Sequence, residues 1–152
     1  MKLIALSQGK FTKVDDEDFE EINSFNWHLA VSGNGAGYAG RRKMGKTIFL
    51  HRQLTKCPNG LEVDHINGDP LDNIRNNLRI VTHAQNLRNR KINKNTTSGF
   101  KGVRNNHGRW QAYINFGKFI CLGNFSTKEE AARAYNKSAL VYFGEFARLN
   151  EI

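Results

Sequence analysis

Asp64 and His65 stand side by side between two turn signals, Pro58-Asn59-Gly60 and Asn67-Gly68-Asp69-Pro70. An asparagine-rich stretch runs from Asn73 to Asn77, and Asn86 follows further on. Cutting a phosphodiester would use residues of these types. It needs an attacking water, a group to take its proton, and positive charge on the scissile phosphate and leaving oxygen. A neutral imidazole near pH 7 is a natural base. A carboxylate plus an amide oxygen form a hard, oxygen-rich ligand pair that suits Mg²⁺ or Mn²⁺ and leaves coordination positions for phosphate and water. Each residue alone has a plainer reading, since asparagines near turns are usually turn formers. The chemistry therefore rests on their order along the chain.

The surrounding segments must hold these residues. Leu61 to Ile66 can extend as a strand, Leu78 to Val81 as a second, and Thr82 can cap a helix beginning at His83. The pattern over residues 58–87 is strand, loop, strand, helix. Adjacent strand residues point to opposite faces, so Asp64 and His65 share a site only where the strand ends or twists. Residues 1–57 read as a β-rich scaffold. A strand is expected at Leu3 to Leu6, and a helix from Asp15 to Phe25 capped by Asp15 or Asp16. A strand around Trp27–Val31 leads into the glycine-rich hairpin turn SGNGAGYAG, and another strand at Thr47 to Leu50 runs into His51 and Arg52.

Charge points to a polyanionic partner. The formal net charge is +9, and its distribution is uneven. Six of the fourteen acids lie between Asp15 and Glu21, whereas Asn73 to Lys128 holds eleven Lys and Arg and no acid. Clustered cations are what counterion release from a nucleic acid rewards. Within this stretch RNRKINKNTT, residues 88–97, reads as a basic linker in which Arg88, Arg90, Lys91 and Lys94 can lie along a DNA backbone. The two cysteines, Cys57 and Cys121, are far apart and in no C-x-x-C pair, which argues against structural zinc and a disulfide framework and fits a reducing cytoplasm. No apolar run is long enough for a membrane span.

Residues 98–152 change character. Phe100, Val103, Trp110, Ala112, Ile114, Phe116, Phe119, Cys121, Leu122 and Phe125 nearly alternate, with Gly108 and Gly117 at the bends, so three short antiparallel strands fit. Thr127 with Glu130 forms a capping-box signal. Ala131, Tyr135, Ala139 and Tyr142 then give one apolar helical stripe ending near Gly144. The expected sheet packs one face on that helix and leaves the other exposed.

The segment VDHINGDPLDNIRNNLRIVTHAQNLRNR resembles the HNH endonucleases of phage and intron origin, in particular the homing type. The resemblance implies His65 as general base, Asp64 and Asn86 as ligands of one divalent metal, Mg²⁺ or Mn²⁺, and Asn77 as a loop brace orienting His65. His83 is a competing ligand candidate. His51-Arg52 resembles the pair that precedes the motif in this group, with Arg52 a candidate phosphate contact. The segment from Ser98 to Asn150 resembles the plant ethylene-response-factor (APETALA-family) DNA-binding domain in KGVR, GRWQAYI, LGNFSTKEEAARAY and GEFARLN. That resemblance implies a sheet lying in the DNA major groove, with contacts from Lys101, Arg104, Arg109, Trp110, Gln111, Tyr113 and Lys118. Arg is the usual reader of guanine and Gln can read adenine.

The expected fold class is α+β. A β-rich region and a ββα-metal nuclease core occupy residues 1–87, a basic linker residues 88–97, and a three-stranded sheet on one helix residues 98–152. The expected partner is double-stranded DNA, cut by a monomer or a homodimer with no membrane involved, in a bacterial host cell and encoded by a phage. The competing reading is a DNA-binding regulator whose nuclease core is inactive.

Overall fold

The computed structural model describes residues 1–32, 35–92 and 96–152. It is a mixed α/β fold of several small antiparallel sheets and few helices. The chain divides into two compact units, Met1–Asn86 and Leu87–Ile152. No helix among the described residues is long and apolar enough to cross a membrane.

In the first unit, strands β1 (Lys2–Ala5) and β2 (Phe11–Val14) pair antiparallel, with Ile4 opposite Thr12. Alternation turns Ile4, Thr12 and Val14 inward. Helix α1 covers only Phe19–Asn23 and starts at Asp18, whose side chain makes no cap hydrogen bond. It is shorter than the expected helix because Asp15, Asp16 and Asp18 serve other partners. The N-terminal amine bonds Asp16, the Arg75 amide bonds Asp15, and the Arg75 guanidinium bonds Asp18. A three-stranded meander follows, β3 (His28–Val31), β4 (Gly37–Lys43) and β5 (Lys46–Phe49). Part of the expected glycine-rich turn, Gly33 and Asn34, lies outside the described residues. Helix α2 (Leu50–Thr55) has no forerunner in the sequence reading. It inserts Leu50 and Leu54 into a core with Ile4, Leu6, Val14, Ile22, Trp27 and Ala39. The buried Trp27 indole donates to the Ile22 carbonyl at 2.8 Å, so its polar end carries no burial cost.

Strand β6 (Glu62–His65) pairs antiparallel with β7 (Leu78–Val81), setting Asp64 opposite Arg79 and His65 opposite Leu78. Helix α3 (His83–Asn89) comes next. Thr82 caps it reciprocally with Gln85: Thr82 Oγ1 accepts from the Gln85 amide, and Gln85 Oε1 from the Thr82 amide. The loop between β6 and β7 is stitched to β2. The Lys13 amide donates to Leu71 O (2.9 Å) and the Asn73 amide to Lys13 O (3.0 Å).

In the second unit, β8 (Val103–Asn106), β9 (Arg109–Asn115) and β10 (Phe119–Phe125) form an antiparallel sheet in the order β10-β9-β8. Helix α4 (Lys128–Phe143) starts with the expected Thr127–Glu130 capping box and ends at Gly144. Ala131, Tyr135 and Ala139 are buried as the stripe requires. Phe143, not Tyr142, completes it: Tyr142 is 38 % exposed. Gly102 permits this packing, because a Cβ there would stand 2.0 Å from the Tyr135 ring. Asn150 ties the chain end to the start of the sheet through the Lys101 backbone, and is itself held by the Asn136 amide.

Candidate active site

Strand β6 ends at His65, and this decides where its side chains go. Asp64 is 5 % exposed, and its Oδ2 accepts from Arg79 Nε (2.9 Å) and Nη2 (2.8 Å) across the strand pair. His65 is 6 % exposed and turns to the other side, where its Nε2 lies 3.3 Å from Asn73 Oδ1. The His65 ring packs against Tyr38 and meets the His51 ring edge-on, with centroids 5.3 Å apart. Burial pushes the His65 imidazole below its ordinary pKa, while the Asn73 bond and the carboxylates of Asp64, Asp69 and Asp72 oppose that. Burial, with help from His65 and Arg52, drives His51 down to about 3. Both imidazoles are therefore neutral near pH 7, the form in which a histidine accepts a proton. His51 Nδ1 has no hydrogen-bond partner within the described structure.

The asparagines divide the bracing between them. Asn77 accepts from the Asn67 amide (3.0 Å) and donates to Asn67 Oδ1 (3.1 Å) and Asp72 O (2.8 Å), so it closes the loop. The contact to the His65 ring comes from Asn73, which is completely buried. The resemblance implies Asn77 as the brace that orients His65; Asn77 braces the loop, and the contact to the ring is made by Asn73. On α3, Asn86 Nδ2 donates to Glu62 Oε2 (2.6 Å), and His83 Nδ1 lies 2.7 Å from Glu62 Oε1. These two bonds hold the Glu62 carboxyl below the usual carboxylate range. Asn86 and Asp64 thus meet different partners, Glu62 and Arg79. Glu62 and Arg79 were both missed as site residues, yet the Leu78-Arg79 pair directly after Asn77 and the strand register offered a signal for Arg79. Among the described residues no three His, Cys, Asp or Glu side chains cluster as a metal site. A divalent ion would rest instead on one carboxylate and one amide oxygen, a donor set that fits a hard cation retaining water and phosphate ligands.

Arg52 holds the turn before β6. Its guanidinium donates to Leu61 O (2.9 Å), Pro58 O (3.1 Å) and Cys57 O (3.3 Å), so a phosphate would have to share those donors.

In the second unit alternation sorts the expected contact residues. Arg104, Arg109, Gln111 and Tyr113 share the face turned away from α4 with Phe119 and Asn124, as the strand register requires. Arg104 donates twice to Gln111 Oε1 (2.9 and 2.7 Å), and its guanidinium lies over the stacked Tyr113 and Phe119 rings. Trp110, also expected to contact DNA, points the other way and packs on the Val103, Ala112, Ala131 and Ala132 core. Lys101 Nζ donates to the carbonyls of Arg88 and Arg90, and burial next to Arg148 lowers it to about 8. The Arg88 guanidinium lies over Phe116 and Phe143, at the end of α3, where a linker had been expected to begin. Arg90, Lys91, Arg109 and Lys118 are exposed, and Lys94 is outside the described residues.

The segment that carries Asp64, His65, Asn77 and Asn86 matches a family model described as HNH endonuclease over residues 55–88. An uncharacterized HNH endonuclease of Acanthamoeba polyphaga mimivirus is 33 % identical over 153 residues, covering 99 % of this chain and 80 % of the viral protein. The chain belongs to the HNH endonuclease family and is an enzyme of the nuclease class. Two other relatives match smaller parts. The dehydration-responsive element-binding protein 2A of Arabidopsis thaliana is 43 % identical over 61 residues, 38 % of this chain and 18 % of its own length. Protein 3.8 of Escherichia phage T7 is 44 % identical over 46 residues, 30 % of this chain and 38 % of its own length.

Proposed function

We propose that this nuclease is a metal-dependent DNA endonuclease of the homing type, encoded by a phage and acting on duplex DNA in the cytoplasm of its host. Strands β6 and β7 with helix α3 would be its ββα-metal core, and residues 98–152 an ethylene-response-factor-like module that holds the substrate. The observation that carries this reading is the buried His65 at the end of β6, its ring held by Asn73, next in the chain to an Asp64 held by Arg79.

Asp64 and Asn86 would hold one Mg²⁺ or Mn²⁺, which when bound supplies positive charge to the scissile phosphate and leaving oxygen. Asn86 Nδ2 donates to Glu62, so Oδ1 would be the amide atom left to ligate the ion. Arg79 holds the Asp64 carboxylate in place with two hydrogen bonds to Oδ2. His65 takes the proton of the attacking water, and Asn77 keeps the loop that shapes this pocket closed. In-line attack then breaks the bond to the leaving sugar oxygen, giving a 5′-phosphate and a 3′-hydroxyl.

Arg104, Arg109, Gln111, Tyr113 and Lys118 would meet the DNA on the open face of the sheet, with Arg88, Arg90, Lys91 and Lys94 along the phosphates. Lys101 and Arg52 support these surfaces by bonding carbonyls, and Trp110 supports the sheet from behind. A monomer with one such site nicks; a homodimer makes staggered breaks. The test is supercoiled plasmid carrying the gene's flanking DNA, incubated with Mg²⁺, Mn²⁺ or EDTA. Open circles formed with either metal and not with EDTA are expected, and direct linearisation would indicate paired sites. A chain that shifts the DNA in a gel but cuts it with neither metal would be a binding protein with an inactive core.

A further inference from the structure

The hydroxyl of Thr12 lies on β2, far in sequence from the motif, and completes a chain of buried hydrogen bonds that ends on His65. Thr12 Oγ1 is 2.8 Å from the Leu71 carbonyl, and Asn73 Nδ2 is 2.7 Å from Thr12 Oγ1. Asn73 Oδ1 is 3.3 Å from His65 Nε2. Thr12 and Asn73 are completely buried, so water cannot substitute for either.

The directions along this chain follow from what each group can do. A carbonyl oxygen only accepts, so the single hydroxyl proton of Thr12 must go to Leu71 O. Thr12 Oγ1 can then only accept from Asn73, which fixes the amide with its nitrogen toward Thr12 and its oxygen toward His65. An amide oxygen also only accepts, so His65 Nε2 must carry the proton. The lone pair of the neutral ring is left on Nδ1. Which nitrogen of a histidine can act as base is set by the bond the other nitrogen makes.

We propose that Thr12 and Asn73 are positioning residues that lock His65 in the Nε2–H tautomer and so assign Nδ1 as the nitrogen that takes the proton from water. This rests on the reading of His65 as the base. Backbone bonds from β2 hold the same loop, with Lys13 N to Leu71 O and Asn73 N to Lys13 O, so the orienting group and its support move as one piece. Without the Thr12 hydroxyl, the Asn73 amide can rotate and present its NH₂ to Nε2. That arrangement favours the opposite tautomer and removes the base.

Two measurements decide it. Long-range ¹H–¹⁵N correlation of the His65 ring in the wild-type full chain, near neutral pH, should show Nε2 protonated; a protonated Nδ1 overturns the proposal whatever the variants do. In single-turnover cleavage at saturating DNA with Mg²⁺, Thr12→Val should be slowed about tenfold to a hundredfold, in the range for residues that orient a ligand or base. Its affinity for DNA should not change, and Thr12→Ser should restore the rate. Equal rates for Thr12→Val and wild type, or equal losses in Thr12→Val and Thr12→Ser, would overturn the proposal. A wild-type chain that cuts no DNA would instead count against the active-site reading, and the tautomer measurement distinguishes that failure because it needs no cleavage.

Discussion

The segment around β6 and β7 and the open face of the C-terminal sheet both carry polar side chains suited to DNA chemistry, but they hold them differently. Around β6 three buried polar side chains are each held by a specific partner: Asp64 by Arg79, His65 by Asn73, Asn73 by Thr12. On the sheet, Arg104 bonds Gln111 and lies across Tyr113 and Phe119, while Arg109 and Lys118 stand exposed. The first arrangement suits a reaction in which a displacement of an ångström costs rate. The second suits a surface that tracks a groove, where long cationic side chains gain from adjusting. The same type of substitution should therefore have very different effects in the two regions.

The largest effect is expected from Asp64→Ala. It leaves the Arg79 guanidinium, 13 % exposed, without its carboxylate. Breaking a buried pair from one side costs about 3–5 kcal/mol. Denaturant unfolding should report that loss, and a loss below about 1 kcal/mol would mean that Asp64 is in effect a surface residue and would remove the contrast.

A pH effect comes next. Burial holds His51 at about 3, against 6.5 for the free side chain. Below pH 6.5 the unfolded chain takes up a proton that the folded chain does not, so the unfolded state binds more protons and stability falls on acidification. His51 leaves stability intact above pH 6.5 and lowers it progressively toward pH 3, by at most about 1.4 kcal/mol per pH unit. His65 is shifted in the same direction and adds to the slope. His51→Phe should flatten the pH dependence of the unfolding midpoint between these limits, and an unchanged slope would show that water reaches His51 in the folded protein.

The smallest effect on stability is expected on the sheet. Arg104→Ala should change it by no more than about 0.5 kcal/mol, the ordinary range for a surface position. The same variant should lower the slope of log K against log salt for DNA binding by about one if Arg104 pairs with a phosphate. A large stability loss without a change in salt slope would make Arg104 a structural clasp for Gln111.

This contrast also governs what the sequence made legible. The sheet and α4 follow from short-range regularities, an alternation of period two, the Thr127–Glu130 box and Gly144, and these elements were readable directly. Strands β6 and β7 and the start of α3 were readable from turn residues and the Thr82 cap. The partners inside the site were not. Thr12 and Asn73 are 61 residues apart, and Glu62 and Asn86 are 24 apart, so only the folded chain brings them together. The short α1 and the unexpected α2 have the same origin. Asp18 is drawn to Arg75 across the sequence, and Leu50 and Leu54 find their helical register only against a core assembled from other segments. Trp110 shows the limit of alternation alone, since a period of two gives two faces but does not say which one meets the helix.

The central claim is that one buried histidine does the cutting while a separate surface holds the DNA. It is tested most directly by measuring single-turnover cleavage and equilibrium binding of one duplex substrate by wild type and His65→Ala, with Mg²⁺ present. Cleavage should fall at least about a hundredfold, the contribution expected of a general base, while affinity stays at the wild-type value. Cleavage at the wild-type rate, or a loss of binding that accounts for the loss of cleavage, would contradict it.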